Sequence, residues 1–214
     1  MQNASSLSRR GLIGALPAVL LAAPALAAVP ASGRLAFAVW RKGERIGEHR
    51  LAFRRSGDTV SVTTDVAMTV GLGPVTLLRY AYHAEETWAG DRFVSIETRA
   101  ETNGKKERVS ARRTEAGVVI AGRPTLPAAA LPLTHWNPDT VRAPLFNPQT
   151  GKAMRLTAAR RAEPFTPTGA AAVRATRITL AGETVMDDWY DPAGVWLALK
   201  ARAKDGSIVE YRRL

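Results

Sequence analysis

The fold is decided by a long run of alternating residues at positions 59–104, TVSVTTDVAMTVGLGPVTLLRYAYHAEETWAGDRFVSIETRAETNG. Apolar residues recur at every second position near its start, so Val60, Val62 and Val66 share one face of an extended strand. The run ends at Asn103-Gly104, a strong signature of a tight hairpin because both turn positions take positive φ. This stretch therefore predicts long antiparallel strands joined by short turns.

The same pattern continues on both sides of this stretch. Turn residues recur about every eight to twelve positions, and strands are predicted at 173–180, 183–190, 195–203 and 208–213. No segment shows helical periodicity. We expect a mainly β domain, built as a single antiparallel, strongly curved sheet or open barrel of about ten strands, which would enclose a groove or cavity.

Regular alternation stops between residues 123 and 149. This segment holds prolines at 124, 127, 132, 138, 144 and 148, and proline has no N–H to contribute to a strand ladder. The segment therefore predicts a long proline-rich loop or a strap that crosses the sheet.

Residues 1–27 have the three-part layout of a secretory signal. Arg9 and Arg10 follow a serine and precede an apolar run, which resembles the twin-arginine export motif. Small residues then predict cleavage between Ala27 and Ala28. The expected partners are the twin-arginine export machinery and signal peptidase, and the expected location is the periplasm. An uncleaved N-terminal anchor or an ordinary Sec signal is the alternative.

Residues 28–214 form the predicted mature chain, a single β-rich envelope domain with no transmembrane segment. The chain contains no cysteine and carries a net charge of +11, of which Arg9 and Arg10 supply two charges. A basic surface favours an anionic envelope component as a partner, such as lipid headgroups. The alternative is arginine spread over exposed strands for solubility. Nothing predicts a specific nucleic-acid partner or a cofactor.

Several short motifs resemble one family. They are Gly43-Glu44-Arg45-Ile46-Gly47-Glu48-His49, Glu86-Thr87-Trp88, Thr102-Asn103-Gly104, Thr134-His135-Trp136-Asn137 and Trp189-Tyr190-Asp191-Pro192-Ala193-Gly194. Together they resemble the DUF6134 proteins, which are exported bacterial proteins of unknown function. The opening strand also looks like the DUF3108 and LolA-like envelope proteins, and that weaker resemblance implies a curved sheet that holds lipid or acyl chains. Neither family supplies a catalytic residue.

The candidate binding residues lie around the three histidines. His49 shares its predicted strand face with Phe53, and a histidine on such a face either packs in the core or contacts a ligand at a cavity rim. His83 has Glu85 two residues further on, an arrangement that orients a general base or forms an exposed polar row. If His49, His83 and Glu85 converged, they would form a divalent-metal site.

The third histidine belongs to the proline-rich segment. His135 and Trp136 either pin this segment over the mouth of the sheet or contact a ligand there. Elsewhere, Asp187 and Asp188 point to opposite faces of a strand, and Asp191 is explained by turn chemistry. No catalytic nucleophile motif is present in the sequence.

Three functions remain open from the sequence. The first is a non-catalytic protein that binds a lipid or other hydrophobic ligand on a concave apolar face, lined by residues such as Leu51, Phe53, Val62, Val66 and Met68. The second is a metal-dependent or acid/base enzyme that uses His49, His83, Glu85 or His135. The third is a structural or partner-binding envelope module, which predicts an exposed apolar patch.

Overall fold

A computed structural model describes residues 28–72, 75–203 and 205–214, with Leu72 described by its backbone alone. The predicted signal peptide and its cleavage site after Ala27 lie outside the described residues. The described part contains no α-helix, and a 3-10 turn lies at Thr140–Arg142. None of its helices is long and apolar enough to cross a membrane.

Twelve strands form one antiparallel sheet in the order β11-β12-β13-β14-β15-β1-β2-β3-β4-β5-β6-β7. They are β1 (Arg34–Arg41), β2 (Glu44–Ser56), β3 (Thr59–Leu72), β4 (Val75–Ala89), β5 (Arg92–Thr102), β6 (Lys105–Thr114), β7 (Gly117–Ile120), β11 (Leu156–Ala162), β12 (Thr176–Gly182), β13 (Met186–Tyr190), β14 (Trp196–Arg202) and β15 (Ile208–Arg213). Three short strands, β8 (Leu131–Pro132), β9 (Leu145–Phe146) and β10 (Ala153–Met154), form a second sheet.

The predicted large antiparallel sheet is confirmed, with twelve strands rather than about ten, and the small second sheet lies outside the prediction. It is an open sheet whose edge strands are β7 and β11. A flat sheet of this size would be roughly 50 Å wide, yet Ile96 of β5 and Ile178 of β12 belong to one core cluster. The sheet therefore curls until residues near its two edges share a core.

The last strand closes the chain onto the first. β15 pairs with β1, and Val39 faces Tyr211 in this register. Strand boundaries in the C-terminal half differ from the predicted ones, because β12 begins at Thr176 rather than at residue 173, and β13 begins at Met186 rather than at residue 183. Val173 instead forms an isolated bridge with Phe165, as part of the connection between β11 and β12.

The proline-rich segment 123–149 crosses the inner face of the sheet as the predicted strap, and it contains β8, the 3-10 turn and β9. Its apolar residues Ala130, Trp136 and Phe146 are buried in the main core. Its start is tied to β7 by reciprocal backbone hydrogen bonds between Val118 and Leu126. The strap therefore closes one side of the space that the curled sheet encloses.

Two glycines explain motifs in the sequence. Asn103 and Gly104 take φ values of 50° and 84°, which confirms the predicted tight turn between β5 and β6. Gly47 lies where β2 passes β3 so closely that an added Cβ would sit 2.0 Å from the carbonyl oxygen of Ala67. Only glycine fits that position without a shift of the backbone.

Candidate functional site

Strand register separates the histidines onto opposite faces of the sheet. His49 pairs with Val66 of β3, and Val66 pairs with Tyr82 of β4, so Tyr82 is the residue of β4 that shares the inner face with His49. His83 is the next residue and points to the outer face. The structure therefore does not bring His49, His83 and Glu85 together, and the metal site that their convergence would have formed is absent.

On the outer face, His83 is held between two carboxylates. Its Nδ1 lies 2.8 Å from Asp65 Oδ1, and its Nε2 lies 3.5 Å from Glu85 Oε1. The hydrogen bond to Asp65 is the main cause of the raised pKa of His83, against a smaller lowering by burial. This is the cross-strand polar row that the sequence offered as one alternative. No group of three or more potential metal ligands occurs within the part of the chain that the structure describes.

His135 of the strap lies beside His49 on the inner face, with 6.5 Å between the two ring centroids. The hydroxyl of Tyr190 donates to the backbone oxygen of His135 at 2.9 Å and fixes the strap at this point. The His135 ring stacks on Trp196 with 5.1 Å between centroids and 16° between planes. Two histidines that are 86 positions apart in the sequence are thus brought together.

Asp188 orients His135. Its Oδ2 lies 3.2 Å from His135 Nδ1, and its Oδ1 accepts a hydrogen bond from Trp196 Nε1 at 2.8 Å. Burial pulls the pKa of His135 down, but the negative charge and hydrogen bond of Asp188, with a smaller contribution from Glu86, outweigh it, so this pKa is raised. In the sequence, Asp188 stands out only as a member of an aspartate cluster with Asp187 and Asp191. Its partner, His135, belongs to the strap, and the alternation of residues along strands does not predict where the side chains of the strap lie.

His49 is buried and unpaired. It is 5% exposed, and neither ring nitrogen has a hydrogen-bond partner among the described residues. Its ring lies edge-on to Trp196 and Tyr211, with centroid distances of 5.2 and 5.5 Å. Burial, and secondly the nearby charge of His135, lower the pKa of His49 to about 3. The ring is therefore neutral at pH 7, with one N–H donor and one acceptor unused.

Glu86, rather than Glu85, is the carboxylate on the inner face. Its Oε2 accepts hydrogen bonds from the indole N–H groups of Trp88 and Trp136, at 2.9 and 3.2 Å. Its Oε1 accepts one from the Thr134 hydroxyl at 3.1 Å. Burial raises the pKa of Glu86, and these three donors reduce the rise. Glu86 shares its parity with Trp88 and Tyr82, which is the signal that would have identified it.

Trp136 and Phe53 pack in the core. Their ring centroids are 5.7 Å apart, and Trp136 also meets Trp88 at 5.5 Å. Trp136 is 3% exposed. It therefore holds the strap on the sheet, one of the two roles that the sequence offered for it.

The inner histidines face a cavity of about 350 Å³, which we call the inner compartment. Its polar lining includes His49, Thr64, Glu86 and His135, and its apolar lining includes Leu51 and Val66. An adjoining cavity of about 460 Å³, the outer compartment, is lined by Ile46, Val70, Leu78, Leu199 and Val209. Residues that line both are Met68, His135, Met186 and Tyr211. Because they share these residues, the two compartments adjoin as one groove, with a polar inner end and a mainly aliphatic outer end.

Of the predicted apolar lining, Leu51, Val66 and Met68 face this groove. Phe53 and Val62 belong to the main core cluster instead. The groove therefore coincides in part with the concave surface expected from the sequence. The sequence pattern does not predict the polar inner end of the groove.

Comparisons with known proteins identify the family and the fold. The chain matches a solved structure described as a "Beta-barrel-like Protein of Domain of Unknown Function DUF1849 from Brucella abortus" with a TM-score of 0.58 and 10% sequence identity. That match covers 85% of this chain and 94% of the other, and at this identity it shows a shared fold alone. No curated protein matches. The resemblance to DUF3108 and LolA-like proteins stays a prediction.

A family model covers most of the chain, from residue 37 to residue 214. This range includes every strand from β2 to β15 and both inner histidines. The family is described as a domain of unknown function, so it assigns no activity to the groove. The chain belongs to the DUF6134 family.

Proposed function

We propose that this protein binds one elongated amphipathic molecule in the groove, with an uncharged hydrogen-bonding head in the inner compartment and an apolar tail in the outer compartment. The observation that carries the proposal is His49, whose ring lines the cavity while both of its nitrogens are buried without hydrogen-bond partners, so that a turn of the ring would present one of them to a ligand. An unsatisfied buried polar group costs about 1–3 kcal/mol. A ligand that supplies the missing hydrogen bonds would remove that cost.

The charges of the inner compartment favour an uncharged head, because Asp188 balances the positive charge that His135 gains when it is protonated. His49 is neutral, since its pKa is lowered to about 3. The compartment wall includes Glu86, and Asp188 lies just behind His135. A ligand carboxylate or phosphate placed there would lie close to the carboxylate oxygens of the protein, which would repel it. A hydroxyl group fits better, because it donates to one ring nitrogen and accepts from another.

The outer compartment fits an apolar tail. Most of its lining is aliphatic, from Ile46 on β2 to Leu199 on β14, with methionines at the junction between the compartments. The charged residues of the lining are Arg41, Arg202 and Asp205. Methionine side chains adapt to flexible apolar ligands. Both volumes lie within the range of about 300–1,000 Å³ that is usual for small-molecule sites.

We further propose that the binding domain acts outside the cytoplasmic membrane, because of the twin-arginine motif at Arg9 and Arg10. N-terminal sequencing of protein from the periplasm is expected to begin at Ala28. The double substitution Arg9→Lys and Arg10→Lys is expected to retain the chain in the cytoplasm. A wild-type N-terminus still at Met1, or unchanged export of the variant, would contradict this part.

Ligand binding is tested with a matched pair of histidine variants. Native mass spectrometry of protein from its own periplasm identifies any retained molecule. Displacement of a fluorescent apolar probe then compares a long-chain alcohol with the fatty acid of equal length, and we expect the alcohol to bind more tightly. His49→Leu should lose at least tenfold in affinity for the alcohol, while His83→Leu on the outer face should bind as the wild type does. Equal affinities of wild type and His49→Leu would overturn the proposal.

The pairing of Asp188 with His135 favours a second candidate function, acid/base catalysis. A neutral His135 that donates from Nδ1 to Asp188 presents Nε2 as a proton acceptor, the arrangement of a general base. Hydrolysis of long-chain ester probes is the assay, with His135→Gln as the inactivating variant. Turnover that persists in His135→Gln, or no turnover by the wild type, would exclude this function for those probes.

A further inference from the structure

Chain topology gathers five connections at one end of the sheet. Because all neighbouring strands are antiparallel, the links β1–β2, β3–β4, β5–β6, β12–β13 and β14–β15 leave the sheet on the same side. We call this side the mouth end. It is also where the outer compartment opens, since Val70, Leu78 and Val209 lie beside these links.

Exposed apolar side chains concentrate at the mouth end. Within the described residues six large hydrophobic side chains are exposed, and four of them lie here: Val75, Leu77, Val185 and Ile208. Val75 and Leu77 are 57% and 54% exposed. The other two, Val173 and Leu214, lie at the opposite end. Exposure that recurs on three of the five links at one end indicates an interaction surface more strongly than a single exposed valine does.

Basic side chains lie beside the exposed apolar residues of the β3–β4 hairpin. The side-chain oxygen of Asn103 accepts a hydrogen bond from the backbone N–H of Arg79 at 2.7 Å, and its side-chain nitrogen donates to the backbone oxygen of Leu77 at 3.2 Å. These two bonds hold the β5–β6 turn beside the β3–β4 hairpin. Lys105 and Lys106 follow that turn and are exposed. The turn therefore places two lysines and Arg79 next to Leu77.

The carboxylates at this end include exposed Glu44 and Glu183, and those that pair with lysines leave the lysines available. Lys106 lies 3.9 Å from Glu101, and Lys42 of the β1–β2 turn lies 3.7 Å from Asp205. Lys105 makes a shorter pair with Glu107, at 3.0 Å. Ion pairs between such exposed side chains contribute little and exchange readily with other anions.

We propose that the mouth end docks on a lipid bilayer that contains anionic phospholipids. The exposed side chains of Val75, Leu77, Val185 and Ile208 enter the headgroup region, and Lys42, Arg79, Lys105 and Lys106 contact lipid phosphates. This combination of an apolar surface with a basic rim is typical of interfacial membrane binding. Docking does not require the groove to be occupied, so it extends the proposed function without depending on it.

The proposed docking surface adjoins the groove at the β3–β4 hairpin, which links docking to ligand entry. The β3–β4 hairpin carries Leu77 on its outer face and Leu78, which lines the outer compartment, on its inner face. A tail leaving the bilayer at this hairpin would pass into the apolar compartment without crossing water. Docking would thereby place the groove entrance at the source of an amphipathic ligand.

The apolar contribution is tested by flotation with vesicles of phosphatidylglycerol and phosphatidylcholine, using the mature chain. The double variant Val75→Asp and Leu77→Asp should bind at least tenfold more weakly than the wild type. Val173→Asp, an exposed valine at the opposite end, is the matched control and should bind as the wild type does. Wild-type protein that does not float with these vesicles would overturn the proposal and favour a protein partner instead.

The charge contribution is tested with a second matched pair. Lys105→Gln with Lys106→Gln should weaken binding by roughly fivefold for each lysine, and added salt should reduce this difference. Arg54→Gln with Arg92→Gln removes two exposed charges at the opposite end and should have no such effect. Equal losses in both double variants would overturn docking through the mouth end. Binding of a short soluble alcohol, measured in the same variants without vesicles, reports separately on the groove.

Discussion

The ring centroids of His49 and His135 lie 6.5 Å apart on the wall of the inner compartment, and the pKa values of the two rings move in opposite directions. His135 has a carboxylate partner in Asp188, whereas His49 has no partner among the described residues. His135 therefore binds a proton more readily than a free histidine does, whereas His49 remains neutral. This asymmetry is the basis of the first three predictions.

Acid should destabilise the protein through His49. The pKa of this group falls from 6.5 in the unfolded chain to about 3 in the folded chain, so the unfolded state binds the proton more readily. Protonation of His49 costs no stability above pH 6.5, and the free energy of unfolding falls as the pH drops from 6.5 toward 3, by up to about 1.4 kcal/mol for each pH unit. Urea unfolding of wild type and His49→Leu between pH 7 and pH 4 measures the difference. Parallel pH profiles would contradict the buried, neutral state of this ring.

At pH 7, His49→Leu should be more stable than the wild type when no ligand is bound. The substitution removes a buried polar group without partners and keeps an apolar side chain in its place, so we expect a gain of about 1–3 kcal/mol in the free energy of unfolding. A purely structural histidine would behave in the opposite way. A loss of stability in denaturant titration would show that His49 supports the fold rather than a ligand.

Asp188→Asn should lower the pKa of His135. The amide keeps the shape of the side chain and an oxygen for Trp196 Nε1, but it removes the negative charge that raises this pKa. The stability that comes from the raised pKa is present below pH 6.5 and is lost as the pH rises through the folded pKa. The variant should therefore lose more stability at pH 6 than at pH 9. NMR titration of the His135 ring checks the shift, and an unchanged titration would contradict the pairing.

The alternation of side chains along the strands predicts much of the fold and part of the site. It placed His49 with Leu51 on the buried face, and the Asn103-Gly104 turn fixed the β5–β6 hairpin. The same parity put both tyrosines of β4 on the face of Trp88, and extending it by one step identifies Glu86 in place of Glu85. Parity is local, however, and it fails where the site depends on a long connection.

The contact between His135 and Asp188 could not be predicted, because it joins the strap to a strand 53 positions away. A proline-rich segment has no period that fixes where its side chains point. The same holds for the groove, whose walls come from β2, β4, β14 and the strap and meet only because the sheet curls. Curvature of the sheet, rather than any one motif, assembles the inner compartment.

Removing the indole N–H of Trp136 should weaken the attachment of the strap. Trp136→Phe keeps an aromatic ring against Phe53 but deletes one of the three hydrogen bonds that Glu86 accepts, so we expect a loss of about 1–3 kcal/mol. Trp136→Ala also leaves a large void and should cost about 3–5 kcal/mol. The half-buried Trp40, which lies 4.7 Å beneath Arg212 on β15, supplies the control, and Trp40→Phe should cost less than Trp136→Phe.

Chemical denaturation measures these losses, and hydrogen exchange locates them. Backbone amides that tie the strap to its neighbours, such as those of Leu126 and Asn147, should exchange faster in Trp136→Phe than in the wild type. Amides of the β3–β4 hairpin, which does not depend on the strap for its pairing, should be affected less. Uniform acceleration across the whole sheet would show that Trp136 supports global stability rather than the attachment of the strap over the groove.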